Sequence, residues 1–460
     1  MGTITNLLRD FVSGFKGIGS MRREFWGIQM LVLLNSLAFY TIVGMAFPYF
    51  QQDLGFPDKK IGLYLGVLGT GIAIMSFLCG MLVDRIGFRN GMLLGALASF
   101  FGRAGFGLLP LLSLEANLFE PLLIATLTLM AIGEGFLQPM FASGTAHFAP
   151  PSKMNMAFKL QVIVTQIGGG IFVGLFLQTR LPDGGNSHFF FVAAGLAVLV
   201  AVVAFLFMKD ESPAVEDGVV QSEKAPRISV RALLRQLVRE KAFWMIMLLL
   251  LGLIGVRMAF GLNNVLYKPY YLRTIGLTAP VGYFDIINPV TIIIGLVFLI
   301  PFLKKVSTYA LMFLGMLIMT GSIFMLAIPT EYFTVAWLGI VGEYTYYAKA
   351  FLQFFVFAIG EMFWSPAIKQ LIMDVAPREK KSTYAGAFSL ANVPVKFLPA
   401  IISGYLLARY CPKDVGEKIK AGLAYSDSPE MMFLIFGMIC LSSIAFFVCF
   451  LLVRRWHKKT

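Results

Sequence analysis

Long apolar runs, broken at regular intervals by short clusters of charge, glycine and proline, dominate this chain. Residues 245–256 and 290–303 are nearly uninterrupted. A helix rises only about 1.5 Å per residue, so about 20 apolar residues are needed to cross a bilayer's hydrocarbon core. On that spacing the pattern predicts twelve spans, centred near Leu34, Met75, Ala98, Leu127, Gly168, Leu199, Leu251, Ile294, Leu317, Phe357, Val395 and Ile444. The last two bracket a polar excursion over 409–429. Ahead of the first span, Ile4, Leu7, Leu8, Phe11 and Phe15 recur at helical spacing, which suits a short surface helix or an unstructured leader. Arg9, Asp10 and Lys16 interrupt that segment, so it does not read as a cleavable signal peptide.

Composition agrees with lipid as the solvent. Only 14% of the residues are charged and 58% are hydrophobic, against about 25% charged in soluble domains. The formal net charge of +13 suggests nucleic acid as a partner until its placement is read. Basic residues crowd alternate loops, among them Arg22, Arg23, Arg85, Arg89, Lys153, Lys304, Lys305, Lys380 and Lys381. The intervening loops hold far fewer, such as Lys59, Lys60, Arg180, Lys268, Arg273 and Lys413. Cytoplasmic loops collect Lys and Arg, so the bias predicts both termini inside a plasma (inner) membrane, a bilayer as partner and no nucleic acid.

The longest polar stretch falls after the sixth span. Its first part is rich in Ser, Pro, Glu and Asp, as in a flexible linker. Its second part sets Arg231, Arg235 and Arg239 four apart with Leu234, Leu237 and Val238 between, as in a basic helix lying on headgroups. The expected organisation is an interfacial segment over 1–25, a six-helix bundle over 26–208, a linker with an amphipathic helix over 209–241, a second six-helix bundle over 242–453 and a basic tail over 454–460.

The two bundles are related. One shift in numbering carries Ala131-Ile132-Gly133-Glu134 onto Ala358-Ile359-Gly360-Glu361, Phe136 onto Phe363, Pro139 onto Pro366, Ala149-Pro150 onto Ala376-Pro377 and Lys153 onto Lys380. The fourth and tenth spans are therefore equivalent. Six being even, both units enter from the same side and the repeat is parallel, which puts a solute site between the halves near the midplane.

At the end of the second span stands Gly80-Met81-Leu82-Val83-Asp84-Arg85-Ile86-Gly87-Phe88-Arg89. It resembles the signature G-x-L-x-D-R-x-G-x-R of the major facilitator superfamily. An anion at a helix C-terminus opposes the macrodipole, so Asp84 wants a partner. The resemblance implies the N-terminus of the eleventh helix, near Ser382 and Thr383, and hence a conformational latch built from Gly80, Asp84, Arg85, Gly87 and Arg89. Within that superfamily, three stretches resemble the proton-dependent oligopeptide transporter family. They are Gly360-Glu361 with Ser365-Pro366 and Ala376-Pro377; Asp285-Ile286-Ile287-Asn288-Pro289; and Gly133-x-Gly135-x-x-Gln138-Pro139. The family's first-span E-x-x-E-R-F is missing: Asn35, Ser36 and Tyr40 stand there, and Gln138 replaces the fourth-span Lys. The resemblance implies an all-α membrane protein of twelve transmembrane helices in two six-helix pseudo-repeats, moving a small-molecule substrate with protons as the coupling ion. Loss of those first-span acids puts the family's usual coupling route and its peptide substrate in question.

Ionisable groups at membrane depth are costly and by default face a cavity or a partner. Glu361 leads the candidates: the resemblance puts its equivalent against a substrate amino group, and a proton-carrying role or a structural pair with Arg257 or Lys396 are both open. Glu134 is its repeat mate. Arg257 and Lys396 suit a substrate carboxylate or neutralise Glu361. Asp285 joins the candidates, Asn288 beside Pro289 suits a pocket, and Asn35, Tyr40 and Gln138 stand where the missing family residues would. Arg103 and Lys369 lie nearer span ends and are expected to snorkel. Lys349, after Tyr344, Tyr346 and Tyr347, is expected at an aromatic interface belt. No nucleophile–base set, phosphate loop or metal spacing occurs and no cofactor is expected; the only histidines are His147, His188 and His457, near span ends. These readings point away from an enzyme. An exporter or flippase of amphipathic compounds, and a non-transporting receptor on the same fold, are the alternatives to solute transport.

Overall fold

The computed structural model describes residues 19, 21–112, 115–150, 154–181, 183–208, 239, 241–298, 306–375 and 392–457. The leader, most of the linker with its basic stripe, and the stretch holding Ser382 and Thr383 lie outside the described residues. In lipid every backbone polar group must be satisfied within the chain, and helices do this for a non-β sequence. Among the described residues twelve long helices result. α1 is Arg23–Gln52, α2 Asp58–Ile86, α3 Phe88–Leu108 and α4 Ala116–Phe148. α5 runs through Met154–Gln166, a π-helical stretch Ile167–Phe172 and Val173–Phe176, and α6 is His188–Phe207. α7 strings together Lys241–Gly252, Ile254–Leu262, a π-helical stretch Asn263–Tyr267 and Lys268–Thr274. α8 is Val281–Phe298, α9 Thr308–Ala327, α10 Glu343–Val375, α11 Val393–Tyr410 and α12 Glu430–His457.

Each expected span centre falls in its own helix. Eight helices are long and apolar enough to cross a membrane over their described residues. The other four, α7, α8, α10 and α11, carry Arg257, Lys268, Asp285, Asn288, Lys349, Glu361 and Lys396.

Packing follows the repeat. α3 lies against α4 and α6, as α9 lies against α10 and α12. α2 packs on α4 as α8 packs on α10, and α1 takes α5 and α6 as α7 takes α11 and α12. Two seams join the halves, α2 with α11 and α5 with α8, and these too are equivalent under the repeat.

Small residues set these distances, because apolar side chains gain little from leaving lipid for protein and close backbone approach is what holds membrane helices together. A Cβ on Gly133 of α4 would lie 2.6 Å from the Ser99 amide nitrogen and 2.9 Å from the Gly95 carbonyl of α3. Its repeat mate Gly360 on α10 would meet the Met319 nitrogen at 2.8 Å and the Gly315 carbonyl at 2.9 Å on α9. Along the seams, a Cβ on Gly404 of α11 would lie 2.7 Å from the Asp58 carbonyl of α2, and one on Gly174 of α5 2.6 Å from the Gly282 carbonyl of α8.

Gly133→Ala and Gly360→Ala must each push a helix off its neighbour's backbone, a change that costs about 1–3 kcal/mol. Gly195 and Gly321 have open space where a Cβ would go. Thermal unfolding in detergent should show lowered midpoints for the first two alanine variants and unchanged ones for Gly195→Ala and Gly321→Ala. Equal midpoints for all four would refute backbone contact as the spacing device.

Candidate functional site

The close contact at Gly133 turns the next residue, Glu134, about 100° away from α3's backbone. Glu134 is buried at 3% exposure, and its oxygens are fully engaged. Arg103 Nη2 donates to Oε1 at 2.5 Å, while Asn35 Nδ2 and Gln138 Nε2 each donate to Oε2 at 3.2 Å. Arg103 also donates to Asn35 Oδ1 and to the Ala193 carbonyl, both at 3.1 Å. The cluster joins α1, α3, α4 and α6 and carries no net charge. Arg103, expected to snorkel, is 1% exposed and turns inward instead. A buried carboxylate directly across the helix pair offers more than headgroups can.

Glu361 follows Gly360 in the same way but meets a different neighbour. Four residues beyond Ser99, the residue facing Gly133, stands Arg103. Four beyond Met319, which faces Gly360, stands Ile323, fully buried. The C-terminal half thus lacks the arginine, and Glu361, half-buried, accepts a hydrogen bond from Asn288 Nδ2 of α8 at 3.1 Å. The sequence offers Arg257 or Lys396 as partners of Glu361 and Asn288 only as a pocket residue; the structure adds the Asn288 contact.

Tyr40 of α1 stands between the two glutamates and feels the charge of both. Its ring has room because residue 169 is glycine: a Cβ there would lie 2.8 Å from Tyr40 Cε2. Gly168 and Gly170 have separate tasks. The first faces the Leu33 carbonyl of α1 at 2.8 Å, and the second faces Pro289 Cβ of α8 at 2.6 Å. All three lie in the π-helical stretch of α5, a distortion often found at functional sites. Tyr40 is 39% exposed although protein surrounds it, and Lys396 is likewise exposed yet enclosed. Surface of that kind belongs to an internal space between the halves.

On the other side of that space, Arg257 of α7, 3% exposed, donates to Asn392 Oδ1 just ahead of α11. The stem of Lys396 lies on α2, where a Cβ on Gly69 would come within 2.9 Å of Lys396 Cβ. Its ammonium lies within electrostatic reach of Arg257. Asp285 of α8 is paired with Lys268 Nζ at 2.7 Å, and the same ammonium donates to the Gly44 carbonyl of α1 at 3.4 Å.

One end of the bundle, where α2 begins and α11 finishes, is held shut. Arg273 of α7 grips Asp58 with two bonds, Nη1 to Oδ2 at 2.9 Å and Nη2 to Oδ1 at 2.6 Å, and donates to the Cys411 carbonyl at 2.5 Å. Lys59 sits 4.9 Å from the Tyr405 ring centroid, and Arg180 donates to the Leu277 and Ala279 carbonyls. Lys268 and Arg273, expected in a loop, are buried parts of α7, drawn in by Asp285 and Asp58. Lys349 is not at an aromatic belt either: it is fully buried, 3.4 Å from Glu430 and 3.3 Å from Thr330 Oγ1. These carboxylates lie far away in sequence, so the basic residues alone gave no signal of burial.

At the opposite end, Gly87 takes φ +88° at the corner between α2 and α3, a conformation glycine alone adopts freely. Gly80 faces Pro139 of α4, where a Cβ would make ordinary contact at 3.8 Å, and Arg89 lies 4.3 Å over the Phe205 ring. Asp84 falls in the last turn of α2. The side chains of Asp84, Arg85 and Lys369 lie outside the described residues.

Removing Arg103 alone strands a buried carboxylate, which costs about 3–5 kcal/mol. Arg103→Met should therefore lower thermal stability strongly, and adding Glu134→Gln should recover much of the loss. A double variant no better than the single one would contradict a closed charge cluster.

A profile of the Major Facilitator Superfamily matches residues 30–395. The multidrug resistance protein MdtH of Aeromonas hydrophila subsp. hydrophila is 22% identical over 443 residues, covering 94% of this chain and 96% of that protein. Among solved structures, a POT family transporter in complex with a thioalcohol-conjugated peptide has a TM-score of 0.68 at 17% identity, covering 94% of this chain and 97% of that one. The POT family transporter PepTSo has a TM-score of 0.69 at 14% identity, covering 95% and 99%. A POT family transporter in complex with 5-aminolevulinic acid has a TM-score of 0.67 at 16% identity, covering 93% and 96%. Fold and family are those of multi-pass membrane transporters rather than enzymes, and the chain belongs to the Major Facilitator Superfamily.

Proposed function

We propose that this protein is a secondary active transporter that moves a small organic solute by alternating access, with the proton gradient as its drive. The observation that carries the reading is Tyr40, held with open surface between Glu134 and Glu361 at the junction of the two repeats. Glu361 and Asn288 would receive a cationic or hydrogen-bond-donating end of the solute. Glu361, half-buried beside Asn288 and the repeat mate of Glu134, is the group to carry the proton; Asp285 is the second coupling candidate. The two bundles, 26–208 and 242–453, would rock about the site along the α2–α11 and α5–α8 seams.

With basic loops in the cytoplasm and the protein in the plasma membrane, both termini are inside. The Asp58–Arg273 end is then the outer one, and the loop between α2 and α3 is the inner one, where the Asp84 latch would act. A peptide-like solute is supported by likeness in fold to POT family transporters, one of them in complex with a conjugated peptide. A second reading, export of amphipathic compounds, is favoured by the likeness to a multidrug resistance protein.

Uptake of a mixed di- and tripeptide pool into proteoliposomes, under an inward proton gradient, tests the reading. Accumulation should vanish with a protonophore, and Glu361→Gln should lose pH-dependent uptake while keeping its fold. Uptake by Glu361→Gln that follows pH as before would remove Glu361 from the coupling role. Protonophore-sensitive extrusion of a lipophilic cation dye from the same vesicles, with no peptide uptake, would favour export.

A further inference from the structure

Resting on that reading of the interior as the solute site, we infer that the C-terminal half holds an anion subsite built from Lys396, Arg257 and Asn392, so that the solute carries a carboxylate or phosphate-type group. The positive charge of the N-terminal half's interior cluster is spent: Arg103 is closed by Glu134 at 2.5 Å and by two further oxygen acceptors. Lys268 and Lys349 are likewise committed, to Asp285 and Glu430. Lys396 differs from all three. Among the described residues its ammonium makes no hydrogen bond or ion pair, and it keeps exposed surface inside the protein. Its stem is pinned on Gly69 of α2, so it does not reach along the helix to a headgroup.

An ammonium in that position is expensive, and here it is placed within reach of a second cation, Arg257, whose guanidinium is oriented by the Asn392 carbonyl oxygen. An ammonium without a hydrogen bond or ion pair among the described residues, set near a second cation, is stabilised when an anion enters beside it. A planar guanidinium next to an ammonium matches the oxygens of a carboxylate or phosphate, the guanidinium through paired donors and the ammonium as a point charge. The subsite also touches the moving parts. Lys396 belongs to α11 but lies on α2, so an anion pulling on its ammonium acts directly on the seam between the halves. With Glu361 and Asn288 on α10 and α8, both charges of a zwitterion would then be read by the C-terminal half, the N-terminal half contributing the uncharged Tyr40 and Gln138.

Thermal stabilisation of the purified full-length protein by four probes tests the subsite: succinate, inorganic phosphate, dimethyl succinate and putrescine. At least one of the two anions should raise the unfolding midpoint with a saturable dose dependence, and which of them does so tells a carboxylate site from a phosphate site. Dimethyl succinate, with its charges removed, and putrescine should do nothing. Lys396→Met preserves the stem on Gly69 and should weaken the anion effect at least tenfold, with Lys396→Arg restoring most of it. Stabilisation by the anions that is equal in wild type and Lys396→Met would overturn the inference, as would no response to either anion. Saturable anion binding together with absent solute flux in proteoliposomes would leave the subsite standing and defeat the transport reading instead.

Discussion

Backbone contact between helices, permitted by glycine, is the constraint from which the interior of this protein follows. Gly133 and Gly360 let α4 and α10 touch the main chains of α3 and α9, and no larger residue fits either place. Each glycine precedes a glutamate, so the same contact that packs the pair aims a carboxylate into the bundle. In a bilayer such a carboxylate cannot be left without partners. The remaining polar residues of the interior, from Asn35 to Asn288, are arranged around these two demands.

The halves answer them differently. The N-terminal half neutralises Glu134 with Arg103 and closes the cluster with Asn35 and Gln138, a rigid and electrically silent unit. The C-terminal half has Ile323 at the position equivalent to that arginine, and Glu361 accepts a hydrogen bond from the Asn288 amide. A repeat that began symmetric has kept its packing and lost its charge symmetry. The seams carry the same division: glycines fix their spacing, while Arg273 with Asp58 and Lys268 with the Gly44 carbonyl tie the halves together at one end.

The helix count and the repeat were legible because lipid imposes a uniform length and apolarity, and because the Gly-Glu step recurs with its flanking residues. Asn288 and Glu361 each stood out as candidates from motifs on α8 and α10, but their mutual contact did not. Nor did the burial of Arg103, Lys268, Arg273 and Lys349. Arg103 was read from its nearness to a span end, Lys349 from its tyrosine neighbours, and Lys268 and Arg273 as loop residues. Their positions are decided instead by carboxylates on other helices, 215 residues away in the case of Arg273 and Asp58. The three consecutive glycines of α5 each face a different neighbour, because successive helical residues point in different directions.

If the halves move about the interior site, the Asp58–Arg273 contact is what holds one end closed. The most direct measurement is the distance between spin labels at exposed positions 59 and 413, on either side of that end, with the exposed Cys449 replaced by serine. The account predicts a short distance in the wild-type background and a second, longer population that grows when Arg273→Ala removes the clasp. A single distance, unmoved by Arg273→Ala and by transported solute alike, would contradict it.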